Sequence, residues 1–246
     1  MTIPKAEVIK VLRAELHKLF SDKKVKVLFF LIFLYLLYSF FIVEPSIDRT
    51  FEEWVVSGTT DSILMNFLIG IVGAVLFTMD YANTTYKNFL PYARKKDVFI
   101  AKILGNFIGV FVLLLFWYGV AWSFSGILAN KRNFNVLVPL AGRFVFQYFM
   151  ILFHTSLIVI AGTVTKNSAI ASSFTIVSWI LYAFIPIKDK LLYDFIVAGY
   201  AWKATAPQET VIFAKIPLNI TLVILFIFCY AAACFIGFQI FNRQEV

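Results

Sequence analysis

The chain has 246 residues, of which 61% are hydrophobic and 15% charged, where soluble domains carry roughly 45–50% and about 25%. Aromatic residues make up 18%, with 29 Phe, and the mean hydropathy of +0.85 suits a chain solvated largely by lipid, which excludes a soluble enzyme. A net charge of +8 and a pI near 9.4 would suit nucleic acid only on a water-exposed basic face, whereas these cations sit between apolar runs, as membrane topology requires.

Near the N-terminus, Val8, Leu12, Leu16 and Leu19 recur at close to helical spacing while Lys10, Arg13 and Lys18 take other faces. The pattern predicts an amphipathic helix over 4–20, inside an interfacial region 1–26. Thr2 can cap it with Pro4 in the first turn, and Ser21-Asp22-Lys23 breaks it. Lying flat at the membrane, its cations would meet anionic headgroups; an orientation signal alone is the simpler alternative.

Six stretches lack Asp, Glu, Lys and Arg: 27–43, 62–79, 103–128, 144–164, 168–187 and 216–241. Each is long enough, or nearly so, to cross about 30 Å at about 1.5 Å per residue. The first is the shortest, while the third and sixth are the longest and must tilt or project. The first span is not a cleaved signal, because the whole interfacial region 1–26 precedes it and Glu44-Pro45-Ser46-Ile47-Asp48 is no small-residue cleavage site. The expected fold is an all-α integral membrane protein: a six-span transmembrane domain over 27–246 behind the interfacial helix.

Six spans put both termini on one side, where fourteen Lys and Arg fall against eight on the other. That side is therefore cytoplasmic. Acidic residues divide six and eight, so the whole surplus of +8 lies on the cytoplasmic face.

The inner loop 80–102 runs from Asp80 through Tyr86, Lys87, Phe89, Leu90 and Pro91 to Arg94-Lys95-Lys96, Asp97 and Lys102. Thr84 or Thr85 can cap a short helix that Pro91 ends. A second helix starts near Asp97, whose carboxylate suits a helix N-terminus. The first helix presents Tyr86, Phe89 and Leu90 to a partner's pocket; a plain positive-inside loop is the alternative.

Together, the N-terminal interfacial helix, six spans in a chain of this size, and that loop resemble the permease subunits of ABC-2-type exporters. In that family the loop commonly reads Glu, then Gly-Thr, then an Arg followed by Ala-Lys. Here Asp80 replaces Glu and Asn83 replaces Gly, while Thr84 or Thr85, Tyr86, Arg94 and Ala101-Lys102 keep the expected character. Small bacterial members include peptide exporters and paired permeases that give immunity to lantibiotics, a class of bacteriocin. The resemblance implies a bacterial cytoplasmic-membrane, multi-pass permease that acts as a homodimer or with a paralogue.

It also implies a role for each loop. The 86–91 segment becomes the coupling helix in a groove of a cytoplasmic ABC ATPase, with Asp80, Lys87, Arg94, Lys95, Lys96 and Lys102 around it. The segment 1–20 becomes the connecting helix, and 188–215 the re-entrant outer segment. Leu191, Leu192, Phe195, Ile196 and Val197 are too apolar for a solvated loop. Asn66, with Ser172, Ser173, Thr175 and Ser178, would line the path between permease subunits.

Several chemistries are missing. There is no Gly-x-x-x-x-Gly-Lys-Ser/Thr run, so this chain cannot cradle ATP phosphates in a P-loop; no cofactor is expected on it, and ATP and Mg would belong to the partner ATPase. His17 and His154 alone cannot ligate two haems, and no catalytic or metal-binding constellation occurs. No Asp or Glu falls inside a span, which removes intramembrane aspartyl proteolysis and carboxylate proton relays. His154 could sense protons in a wet path, or sit neutral and bonded to a neighbouring helix. Cys229 and Cys234, about 140° apart on one helix, form no disulfide with each other. Gly105/Gly109, Gly70/Ala74 and Ala233/Gly237 mark close helix approaches.

The abundance of Phe without intramembrane charge favours an apolar or amphipathic cargo. The rivals are a non-transporting membrane scaffold or sensor, and a passive channel. The topology predicts that Asn133→Cys, in a chain lacking Cys229 and Cys234, reacts in whole cells with a membrane-impermeant thiol reagent. Labelling only after cell lysis would reverse the orientation.

Overall fold

A computed structural model describes residues 5–38, 40–41, 50–60, 63–82, 94–129, 134, 137–167, 169–174, 177 and 220–243. Its main elements are α1 (Lys5–Ser21), α2 (Lys23–Tyr38), α3 (Phe51–Thr60), α4 (Ile63–Ala82), α5 (Lys95–Leu128), α6 (Leu137–Thr165) and α7 (Ile220–Arg243). There is no strand among the described residues. Three helical stretches are long and apolar enough to cross a membrane: α5, Leu140–Thr165 of α6 and Val223–Arg243 of α7. Apolar α4 adds 20 residues, and α2 is a shorter apolar helix.

Helix α5 is the common wall of the fold. Its 34 residues make a rod of about 51 Å against a hydrocarbon core of about 30 Å. It starts at Lys95, near the helix start expected at Asp97 and well before the apolar run at 103. Lys95, Lys96, Asp97 and Lys102 therefore ride on the same rigid element as the span. Helices α1, α3 and α4 all pack along it, and α4 also packs on α6.

Side-chain pairs give the helix directions. Phe29 meets Phe116 and Phe40 meets Phe124, so α2 runs parallel to α5. Phe77 meets Phe99, and Gly73 lies against Asn106, so α4 is antiparallel to α5. Phe144 meets Tyr118 while Tyr148 meets Phe107, which makes α6 antiparallel to α5 as well. Phe226 of α7 packs on Phe146 and Phe153, and Gly237 on Val159, so α7 runs parallel to α6. The segment 166–219 must therefore carry the chain from one end of the bundle back to the other.

Between α1 and α2 only Asp22 leaves helical geometry, and its carboxylate accepts the Val25 amide at 3.4 Å, starting α2 where the sequence breaks the amphipathic pattern. The expected span 27–43 is helical through Tyr38, with a π-type turn at 40–41. Sequence reading left 44–61 as a connection, yet α3 forms there. Thr50 accepts the Glu53 amide at 3.3 Å and Glu53 accepts the Thr50 amide at 2.8 Å, a reciprocal capping box. Phe51, Trp54 and Val55 are buried on one side, with Trp54 stacked on Phe40 and Phe51 edge-on to Trp122.

After α6 the chain turns at Lys166, whose φ of 55° is left-handed, and its amide bonds to the Gly162 carbonyl. Asn167 then accepts the Ala169 amide at 2.9 Å and restarts a helix at 169–174, the beginning of the expected fifth span. Small residues set the close approaches: a Cβ on Gly237 would come within 3.0 Å of Val159 Cγ1, and one on Gly162 within 2.7 Å of Thr78 Cγ2. Among the small-residue pairs expected from sequence, Gly105 and Gly237 serve contacts within the chain.

Removing the capping hydroxyl should loosen α3 selectively. Thr50→Ala should cost about 0.5–2 kcal/mol of local helix stability, read as faster amide hydrogen exchange across Phe51–Thr60 with α5 unchanged.

Candidate functional site

The Lys95 end of the bundle gathers the polar chemistry. Just before α5, Arg94 has an extended backbone, and its Nε donates to Asp97 Oδ2 at 2.9 Å. The Asp97 carboxylate is almost fully buried in the first helical turn, while the Arg94 side chain stays 62% exposed. An acid in that position is favoured by the helix dipole, and the arginine neutralises it. Lys96 is exposed and Lys95 half-buried.

Two turns further along α5, Lys102 points inward. The residue is 2% exposed, and its ammonium donates to the Phe77 carbonyl of α4 at 3.3 Å. Across from it, at 3.7 Å, stands the carboxylate of Glu15 on α1, a residue 5% exposed. One cation thus ties together α1, α4 and α5. Gly105, one turn on, has no side chain, and a Cβ built there would sit 3.1 Å from Glu15 Cβ. The absence of that atom lets α1 lie close enough for the pair to form.

Burying two charges is costly unless each is paired, and removing one partner of such a pair costs about 3–5 kcal/mol because the other is left stranded. The pair also sets which way α1 faces. Among its described side chains Val11 and Glu15 are buried, with Val8, Leu12 and Leu16 half-buried beside them. Ile9 and Phe20, both about 60% exposed, share the outward face with exposed Lys10, Arg13 and His17. The exposed cations Arg94, Lys96, Lys166 and Arg243 belong to the same end of the bundle, as do Lys23 and Lys26.

A second polar group lies deeper. Asn106 Nδ2 donates to Thr155 Oγ1 of α6 at 3.5 Å and to Tyr230 Oη of α7 at 3.4 Å, joining three helices. Tyr118 donates to Gln147 at 2.6 Å, and Tyr148 to the Phe107 carbonyl at 3.0 Å. His154 is buried next to Thr155, its ring edge-on to Phe153.

The sequence pattern of a family described as ABC-2 family transporter protein matches residues 11–182, well over half of the chain. The chain belongs to that family. Its match spans Glu15, Phe77 and Lys102 together. No curated protein is similar enough to count as a match. An ABC-2 permease is a membrane transport component that normally works with a separate ABC ATPase.

Against that identity, the sequence-predicted site residues divide. Tyr86, Lys87, Phe89, Leu90 and Pro91 lie outside the described residues, as do Thr175, Ser178 and the outer segment 188–215. Asp80 and Asn66 lie on α4, with only their backbone described. Arg94, Lys95 and Lys96 cluster at the start of α5. Lys102, grouped with them from sequence, is turned inward to Glu15 and Phe77. Ser172 is half-buried, and Ser173 is exposed with its hydroxyl donating to the Ala169 carbonyl.

Sequence reasoning missed Glu15 and Asn106 as site residues. Glu15 had a usable signal: at about 100° per residue it falls between Val8 and Val11 on the helical wheel, inside the apolar stripe. An acid there needs a buried partner. Gly105→Leu should force α1 off α5 and destabilise the purified chain by about 1–3 kcal/mol, measured as a lowered unfolding temperature in detergent. Gly105→Ala, whose Cβ asks Glu15 to yield only a few tenths of an ångström, should cost less than Gly105→Leu.

Proposed function

We propose that this chain is the transmembrane permease subunit of an ATP-driven exporter of the bacterial cytoplasmic membrane. It spans six times with both termini in the cytoplasm and works as a pair with a second copy or a paralogue. ATP and Mg are bound by the partner ATPase, and the cargo is apolar or amphipathic, such as a peptide, a bacteriocin or a lipid-like molecule.

The observation that carries this reading is the build of the Lys95 end. Antiparallel α4 and α5 bring residues 82 and 94 to that end, which supports a docking role for the run with Tyr86, Phe89 and Leu90 that joins them in sequence. Exposed Arg94, Lys96, Lys166 and Arg243 stand at that end, matching the positive-inside rule for a cytoplasmic face. From there α5 runs unbroken to Leu128, so a push delivered at the segment reaches the far side of the bundle along one rod. The parallel course of α6 and α7 supports a fifth crossing between them, and hence an even number of spans. Exposed Phe228, Phe235, Leu115 and Phe30 suit contact with lipid tails.

In this mechanism ATP-driven closure of the ATPase pair tilts the 86–91 helices. Differential contact in the two ATPase states supplies the driving force, since a docking site alone would shift nothing. Asn66, Ser172, Ser173, Thr175 and Ser178 offer hydroxyl and amide groups to a path between permease subunits. The cations of α1 rest against anionic headgroups of the inner leaflet.

Copurification with an ABC ATPase from the same cells tests the assignment, and Phe89→Asp with Leu90→Asp tests the docking segment. The double variant should lose permease-dependent control of ATP turnover by at least about fivefold, the lower end of ordinary coupling. Unchanged turnover would remove the coupling role from this segment, and a chain that binds no ATPase would be a scaffold or a channel instead.

A further inference from the structure

We infer that Glu15 and Lys102 form the joint through which movement at the 83–93 segment reaches α1, making Glu15 a positioning residue for ATP-coupled transport although it meets neither nucleotide nor cargo. The inference rests on the permease reading above. Its ground is geometric. The segment has two stems, the end of α4 and the start of α5, and Lys102 holds both, being part of α5 and donating to the Phe77 carbonyl of α4 at 3.3 Å. Phe77 stands just before Asp80, close to the end of its stem. A force on the segment therefore moves the stems together rather than splaying them.

The same ammonium faces Glu15 at 3.7 Å with both side chains almost wholly buried, 0% and 4% exposed. An apolar contact between α1 and α5 could slide along the helix axis, because one aliphatic side chain packs much like the next. A buried charge pair cannot slide without giving up its mutual contact inside the protein, so it fixes register, the best-attested use of buried ionic groups. Gly105 removes the side chain that would hold α1 away at this level, and α1 leads through Asp22 directly into α2. Displacement of the stems is thus handed to α1 and from it to α2.

The test uses the full chain reconstituted with its ATPase in liposomes of phosphatidylethanolamine and phosphatidylglycerol, with ATP turnover per copurified ATPase as the readout. Glu15→Gln combined with Lys102→Met replaces the pair by neutral groups of similar volume. Such a replacement is expected to keep the unfolding temperature within a few degrees of wild type, whereas permease-dependent control of turnover falls at least about fivefold. Should the neutral pair fail to fold, Glu15→Asp decides: it keeps the charge and draws the carboxylate back by one methylene, and it should weaken control in protein that still unfolds cooperatively.

Wild-type control in a folded neutral pair, or in Glu15→Asp when the neutral pair does not fold, would overturn the joint and leave the permease assignment standing. A wild-type chain that exerts no control over any ATPase would overturn the permease reading, and the joint with it.

Discussion

A lysine taken out of water must find its compensation inside the protein, and that demand at Lys102 organises one whole end of this molecule. The carbonyl of Phe77 already serves the α4 backbone, and its second lone pair receives the ammonium. The remaining charge calls for an acid, and the Glu15 carboxylate stands across from it at 3.7 Å. Glu15 comes from outside the bundle, on a helix that has to be drawn close, and the empty position at Gly105 is what allows the approach. The orientation of α1, the spacing of α4 from α5, and the exposure of Arg13, His17 and Phe20 on the far side of α1 all follow from this one burial.

Elsewhere the bundle is held by a different kind of contact. Lipid tails are as apolar as leucine, so helices gain nothing by hiding hydrocarbon from them and must pack closely instead. Aromatic edges and small residues provide this packing. Phe99 meets Phe77, Phe238 and Phe241 in one patch, and Gly237 brings α7 against α6. The Asn106 hydrogen bonds to Thr155 and Tyr230 add modestly to stability, interhelical bonds of this kind averaging about 0.6 kcal/mol. Their greater effect is on alignment, since one amide addresses two helices at fixed heights.

Apolar runs made α5, α6 and α7 readable from sequence, because a charge-free window of that length is seldom anything but a span. The apolar window alone stops at Lys102, whereas the hydrogen-bonded helix, expected from near Asp97, continues through Lys102 and Asp97 to Lys95. Periodicity found α1 but not the function of its stripe, since counting apolar positions discards the acid among them. The helix α3 escaped although Thr50-x-x-Glu53 announces a capping box, because its burial depends on Phe40 and Trp122, which are distant in sequence. Lys102 looked like one more cation of a basic loop, and only tertiary placement separates it from Lys95 and Lys96.

The parallel course of α6 and α7 governs the order in which the chain can be completed during synthesis. Their interface, the most extensive among the described helices, joins elements that stand on either side of the long segment 166–219. Chains are made from the N-terminus and domains dock as segments become available, so α6 enters the membrane long before its partner exists. Until α7 arrives, Phe146, Phe153 and Val159 lack their α7 contacts, and the hydroxyl of Thr155 waits beside Asn106 without Tyr230 to complete the set. The last helix therefore acts as a closing strake on the hull, and a ribosome that stops short of it leaves a seam that membrane quality control can recognise.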